Sequence, residues 1–372
     1  MKKNYLNQLD NTLKRLFENA VNKGFFSGAA VGVYWKEKKG EKRYIQTFGT
    51  TRKDVTGERV NQQTLFDLAS LTKPLCTVLS ILYLIENKKL KRETTLKSVT
   101  RFKMGPEYKN ITIEHLLSHS SGLIAYKPFF EGLKPEYTSR GKNKLIQTLL
   151  SEPLAYETGT TCLYSDMGYI LLGEVIENIS GQNLNEFYVE NIVQAFDIQD
   201  ELGFRPLLQS SEYEPNIVAT ELCPWRNKMM QGEVHDEHSW LMGGVAGHAG
   251  LFGSIGAVLS IVECILKQWK DRAEYPVYRN ELLQNFLKRK FSKQSWCFGF
   301  DTPSAKGSSA GKYFSKKSVG HLGFTGTSFW VDPVKEVVVV LLTNRVHPSR
   351  ENEAIRTFRP LFHDMVIETL AM

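Results

Sequence analysis

Ser70-Leu71-Thr72-Lys73 sets a hydroxyl and an amine three residues apart at the start of an apolar run. On a helix that spacing puts both groups on one face, close enough to meet. The serine would stand in the first turn, where free backbone N–H groups and the positive dipole end favour a developing oxyanion. A lysine in a water-poor cleft can lose its proton near neutral pH, because burial disfavours the charged form. It could then take the hydroxyl proton and make the serine a nucleophile. Spacing alone proves little, since Ser139–Lys142 and Ser309–Lys312 match as well. Both lie in polar, glycine-containing stretches with no apolar helix after them, so context selects Ser70.

Two shorter patterns accompany it. Tyr164-Ser165-Asp166 precedes the helical run GYILLGEVIE, and a tyrosine facing the serine can relay a proton to a leaving group. Tyr5-Leu6-Asn7, Tyr108-Lys109-Asn110 and Tyr278-Arg279-Asn280 share its form, and a lone tyrosine there is otherwise a packing residue. His321-Leu322-Gly323 opens a strand-like run in which Gly323 would let a substrate approach the backbone. His248-Ala249-Gly250 has the same pattern.

These residues need elements to hold them. Leu6, Leu9, Leu13, Leu16 and Phe17 recur at helical spacing, so a first amphipathic helix ends near Gly24. SGAAVGVYW and KRYIQTFGT read as an antiparallel hairpin about Gly40, and Ser70 to about Asn87 as an apolar helix. Residues 110–200 are mostly helical, with helices closed by Gly122 and Gly181. HLGFTGTSFWVDP and EVVVVLLTN read as two strands around Asp332–Pro333, and a last helix runs from about Asn352 to Leu370. The order predicts an α/β (α+β) fold: an antiparallel sheet flanked by helices, with a mostly helical domain inserted. The predicted division is 1–69 with 246–372 for the sheet domain and 70–245 for the insert. The active site would lie in the cleft between them.

Composition narrows the function classes. A chain of 372 residues with 42% hydrophobic and 23% charged residues is globular rather than disordered or collagen-like. The net charge of +7 does not call for nucleic acid, because acidic residues interrupt the basic runs and no spaced aromatics accompany them. Five scattered cysteines without a CxxC argue against a disulfide framework or a thiolate metal site. The N-terminus lacks the apolar core of a signal peptide, and the longest apolar stretch, Leu75 to Ile85, is too short for a membrane span. A cytoplasmic protein is the expectation.

Taken in order, the three motifs resemble those of the serine β-lactamase and penicillin-binding-protein superfamily, most of all class C β-lactamase-like hydrolases. LFDLASLTKP, ITIEHLLSHSSGL, YSDMGYILLGEVIE, GEVHDEHSWLMGGVAGHAGLF and GHLGFTGTSFWVDP are similar to blocks of that family, in its order, over roughly residues 25 to 370. GEVHDEHSW and NRVHP look most like the branch of low-molecular-weight penicillin-binding proteins, muropeptide hydrolases and esterases. The resemblance implies Ser70 as acylated nucleophile, Lys73 as its base and Tyr164 as proton shuttle. It implies an oxyanion hole from the backbone N–H groups of Ser70 and Phe324, each donor worth about 2.7–4 kcal/mol. Asp166, His321, Gly323 and His235 would contact substrate. No metal or organic cofactor is implied, and β-lactams become candidate acylating ligands. The branch points to a peptidoglycan-derived peptide, by D-alanine carboxypeptidase or muropeptide amidase action, or to a small carboxylic ester.

Two departures set this chain apart. Asp166 stands where the family's lactamases usually carry asparagine, and a carboxylate near Lys73 would favour its ammonium form. His321 replaces a lysine, and an imidazole with an ordinary pKa near 6.5 is mostly neutral at pH 7. Both argue against an efficient β-lactamase. Metal chemistry is a weaker reading. His115 and His119 have paired-ligand spacing but lack the HExxH glutamate, and the cluster His235-Asp236-Glu237-His238 reads better as a cleft-edge loop. The non-enzymatic alternative is a penicillin sensor that acylates once, or a filament-forming scaffold. The intact serine, lysine and tyrosine favour an enzyme. Cell-wall substrates lie outside the membrane, so a cytoplasmic enzyme would act on imported fragments.

Overall fold

The computed structural model describes residues 5–38, 40–131, 139–207, 216–291 and 294–371. After a first helix, Tyr5–Asn22, come the strands β1 (Gly28–Glu37) and β2 (Gly40–Gly49), then the short β3 (Phe66–Asp67). A helical block follows, interrupted by β4 (Leu202–Phe204) and a small hairpin of β5 (Leu222–Cys223) and β6 (Lys228–Met229). β7 (Leu251–Gly253) leads into the helix Ile255–Trp269, and β8 (Val319–Leu322), β9 (Ser328–Asp332) and β10 (Val337–Thr343) precede the closing helix Ile355–Thr369. The main sheet is antiparallel with strand order β2-β1-β10-β9-β8, so both ends of the chain build it.

Alternation explains how this sheet is covered. In β1, Ala29, Val31, Val33 and Trp35 meet Leu13 and Phe17 of the first helix and Phe358, Phe362 and Val366 of the last. Ala30 and Tyr34 point the other way, towards Ile255 and Leu259. The run Val337–Leu342 splits likewise between the two faces, so every residue in it is buried. An unbroken apolar stretch is what a strand covered on both sides requires. Gly32 completes the packing, since a Cβ there would stand 3.3 Å from Ile255 and from Leu259.

Three elements differ from the sequence expectation. HLGFTGTSFWVDP is not one strand but β8 and β9, because the chain reverses over 323–327 with Gly323 N–H donating to Thr327 O and Gly326 at a φ of 112°. The helix from Ser70 is not uniform: a 3-10 turn, Ala69–Leu71, gives way to a π-helical stretch, Lys73–Val78, before α-helix Leu79–Glu86. Pro74, with no N–H to give, lies in the first turn of that stretch. The segment Ala69–Glu86 is also long and apolar enough to cross a membrane, contrary to its apparent shortness, but 78% of it is buried inside the protein. It is a core helix. At the other S-x-x-K pairs, a helix, Ser139–Leu149, does follow Ser139, whose side chain lies outside the described residues.

Asn344, just past β10, ties the sheet together. Its Oδ1 accepts from Ser27 N–H at 3.1 Å and Gly28 N–H at 2.9 Å, while Nδ2 donates to Ser27 Oγ and Ala219 O. All of these groups lie in buried residues or at the start of β1. Asn344→Ala would orphan two N–H donors and one carbonyl, each costing about 1–3 kcal/mol when buried. The expected loss is roughly 3 kcal/mol or more in chemical denaturation; a loss below about 1 kcal/mol would contradict this account of the junction.

Candidate active site

The turn that carries Ser70 is held by a residue that no sequence motif singles out. Asp67, buried at the end of β3, accepts from Ala69 N–H at 2.8 Å through Oδ1 and from His235 N–H at 2.7 Å through Oδ2. Burial pushes the Asp67 carboxyl above its ordinary pKa, and these two donors pull against that. Ala69 sits at a φ of 47°, a conformation costly for a residue with a Cβ and stable only where the surroundings impose it. Thr325 and Thr327 supply more of the imposition by donating to the carbonyls of Asp67 and Leu68 at 2.7 and 3.1 Å. The third motif is thereby hydrogen-bonded to the first.

Lys73 is fully buried, and its ammonium has three partners: Ser70 Oγ at 2.9 Å, His248 O at 3.0 Å and Asp166 Oδ1 at 2.7 Å. Its Nζ also lies 5.1 Å from the centre of the Tyr164 ring. Burial alone would lower the Lys73 pKa, but Asp166 and the Tyr164 phenol outweigh it and leave the pKa above its ordinary value. Lys73 therefore rests as an ammonium, unlike the neutral amine that burial alone would give. Burial pushes the Tyr164 phenol upward, against the lowering pull of Lys73 and a hydrogen bond with Ser70. Ser165 caps the helix Asp166–Ser180 by accepting from Gly168 N–H, which fixes Asp166 in the first turn. A carboxylate is favoured there by the helix dipole.

Ser70, Tyr164 and Phe324 line both lobes of the cleft, each of about 350–370 Å³. The first lobe adds Asp166, His235, Asp236, Glu237 and Arg350. His235 Nε2 meets Glu221 at 2.9 Å, its ring stacks on Phe324, and Arg350 bridges Glu221 and Glu237. The second lobe adds Trp296, His321, Gly323 and three arginines, Arg345, Arg356 and Arg359. His321 Nδ1 donates to Leu322 O at 2.8 Å, and burial, with Lys73 and Arg359 adding to it, pushes its pKa down to about 3. A neutral imidazole cannot replace the charge of a lysine, whereas the arginines carry it permanently. Gly323 lines this lobe too, but a Cβ there would come 2.7 Å from Leu68 O. Its missing side chain makes room for the nucleophile segment as well as for a ligand.

The histidines weighed as metal ligands have other work. His115 forms a capping box with Thr112, and His119 accepts from Ser165 N–H while packing on Tyr164 and Trp296. Asp236, His238 and His248 do bring ligand-capable atoms within 4.8 Å of one another. His248 Nε2 is taken by Asp236 at 2.7 Å, and His238 Nε2 accepts from Phe129 N–H. These contacts shape the loop whose His248 carbonyl holds Lys73. Arg345 lies within the block NRVHP, whereas Trp296, Arg356 and Arg359 left no sequence signal.

Comparison with known proteins agrees with this geometry. Residues 13–361 match the Beta-lactamase family model. A putative D-alanyl-D-alanine carboxypeptidase of Escherichia coli (strain K12) is 30% identical over 308 residues, which cover 76% of this chain and 70% of that protein. An N-acetylmuramyl-L-alanine amidase of Bacillus subtilis (strain 168) is 28% identical over 308 residues, covering 78% and 70%. Among solved structures, EstCE1, a hydrolase with promiscuous acyltransferase activity, superposes with a TM-score of 0.76 at 20% identity, covering 96% of this chain and 98% of its own. With a family match across nearly its whole length and a serine, a lysine and a tyrosine converging in one cleft, the chain belongs to the beta-lactamase family and is a serine hydrolase.

Proposed function

We propose that this hydrolase works through an acyl-enzyme on Ser70 and acts on peptidoglycan-derived peptides, with small carboxylic esters as surrogates. The observation that carries the reading is the buried chain Ser70 Oγ–Lys73 Nζ–Asp166 Oδ1, with links of 2.9 and 2.7 Å. Lys73 loses a proton through Asp166, whose side chain keeps 22% of its surface in solvent and releases it to water, so the competent enzyme carries a neutral amine. The neutral amine then accepts the Ser70 proton, and Oγ attacks the carbonyl carbon. Negative charge develops on the carbonyl oxygen between the N–H groups of Ser70 and Phe324. Collapse expels the leaving group, which takes its proton from Tyr164, and Tyr164 is reprotonated through Lys73. Water then attacks the acyl carbon, giving a proton to neutral Lys73, and the bond to Ser70 Oγ breaks as Oγ takes that proton back, which releases the acid. The arginine-lined lobe suits a substrate carboxylate, and the relatives named as a carboxypeptidase and a muramyl-alanine amidase support a peptidoglycan source.

Ser70→Ala is expected to cut turnover of p-nitrophenyl acetate or butyrate by ~10³-fold or more. Intact-protein mass after brief incubation with an activated ester, or with a penicillin, should show an adduct on wild type and none on the variant. Retained turnover in Ser70→Ala would refute the assignment.

The pH dependence tests the proton path. Activity that needs neutral Lys73 rises with pH through the lysine pKa, which Asp166 holds up. Asp166→Asn removes the opposing charge, so the acid limb of the kcat/KM profile should move to lower pH. An unmoved limb would mean that Lys73 is not the group titrating there.

A further inference from the structure

A cavity of about 780 Å³ lies outside the cleft and takes part in none of the chemistry above. Its walls carry Arg289, Lys312, Lys316 and Arg356 against a single carboxylate, Asp364. Arg356 also lines the second lobe of the cleft, so the two spaces share a wall. Together they present six cations, with Arg356 counted once, against Asp301 and Asp364, and Arg356 is itself paired with Glu353 at 2.6 Å. Asp364 is already engaged, accepting from Lys312 N–H at 2.6 Å. Asp301 is mostly buried, and that burial raises its pKa. Lys312 and Lys316 are exposed and, among the described residues, neither is held in an ion pair.

The inner end also has unanswered hydrogen-bonding capacity. Arg359 is buried, and although its Nη2 donates to the carbonyls of Gly323 and Thr327, its Nε–H has no partner. His321 Nε2 is likewise buried and unpartnered; with Nδ1 donating to Leu322 O, it presents a lone pair. Both residues line the lobe beside Ser70. Unmet polar groups in a buried wall are costly unless a ligand meets them.

We propose that the second lobe and the outer cavity form one cationic track, which binds an extended peptide segment bearing several carboxylates. Phe314, Pro303 and Pro360 put apolar surface between the charges of the outer cavity, which suits a peptide chain better than a phosphodiester backbone. The inference rests on the hydrolase reading for the serine at its inner end. It narrows the substrate from any D-alanyl peptide with one terminal carboxylate to an acidic peptide several residues long.

Binding to the Ser70→Ala protein tests this without turnover. The probes are a synthetic tetrapeptide with three free carboxylates and its counterpart with two of them converted to carboxamides. At low salt the tricarboxylate should bind at least ~10-fold more tightly, and 0.5 M salt should erase most of that advantage by screening. Lys312→Glu/Lys316→Glu should abolish it, with a thermal melt confirming that the variant is folded. Equal dissociation constants for the two peptides, absence of binding by both included, would overturn the proposal. So would an advantage that survives the charge reversal, or tighter binding of a phosphodiester oligomer of equal charge. Ester turnover by the wild-type chain is read separately. Its loss with the charge preference intact would sink the hydrolase reading and leave the track, and the converse would sink only the track.

Discussion

A fully buried ammonium is the constraint around which this molecule is arranged. An isolated cation of this kind costs several kcal/mol to desolvate and would give up its proton instead. Lys73 keeps its charge because three segments far apart in sequence deliver partners to it: the nucleophile turn, the start of the helix Asp166–Ser180, and the loop ending at β7. Displacing Asp166 leaves a charge in the core without compensation, and displacing either of the others leaves the ammonium short of a hydrogen bond. Stability and catalysis therefore draw on the same contacts. The cleft lies where it does because that is where these segments must meet.

Holding Ser70 in position is a second, dependent problem. The turn before it is strained at Ala69, and the strain is countered by Asp67 and the two threonines of the β8–β9 reversal. Asp67 also anchors His235, so one carboxylate couples the nucleophile turn to the loop that bounds the first lobe. Thr72 extends the lattice by accepting from Leu251 N–H in β7. The proposed oxyanion donors, the N–H groups of Ser70 and Phe324, thus belong to two segments that are hydrogen-bonded to each other rather than merely adjacent. Such cross-bracing keeps an active site within the small tolerance that transition-state stabilisation needs.

Which parts of this were legible beforehand follows from which interactions are local. Ser70 and Lys73 are three apart, so their meeting could be read from spacing, and Tyr164 and Asp166 flank a capped helix with a visible start. The apolar periodicities marked the first and last helices and the β1–β2 hairpin. Asp67, Trp296 and the His248 carbonyl could not be seen in that way. Their importance comes from neighbours 168 to 258 positions distant in the chain, or from a backbone atom that every residue possesses. The β8–β9 reversal was hidden for a related reason. Both strands are apolar, and the intervening turn is set by Gly323 packing on Leu68, a tertiary contact.

The distribution of charge explains why histidine can occupy position 321. The ring is almost wholly buried, and Lys73 and Arg359 both disfavour its protonation. A permanent cation at that position would need a carboxylate of its own or would compete with Lys73 for Asp166. With Asp166 committed to Lys73, a neutral ring is the form that this wall tolerates. Positive charge stands elsewhere on this lobe, on Arg345 after β10 and on Arg356 and Arg359 of the last helix. From there it faces the second lobe without adding another ammonium to the buried proton chain. Asp166 and His321 are then two sides of one arrangement of charge. The first supplies a counter-charge beside the serine, and the second leaves no further cation to share it.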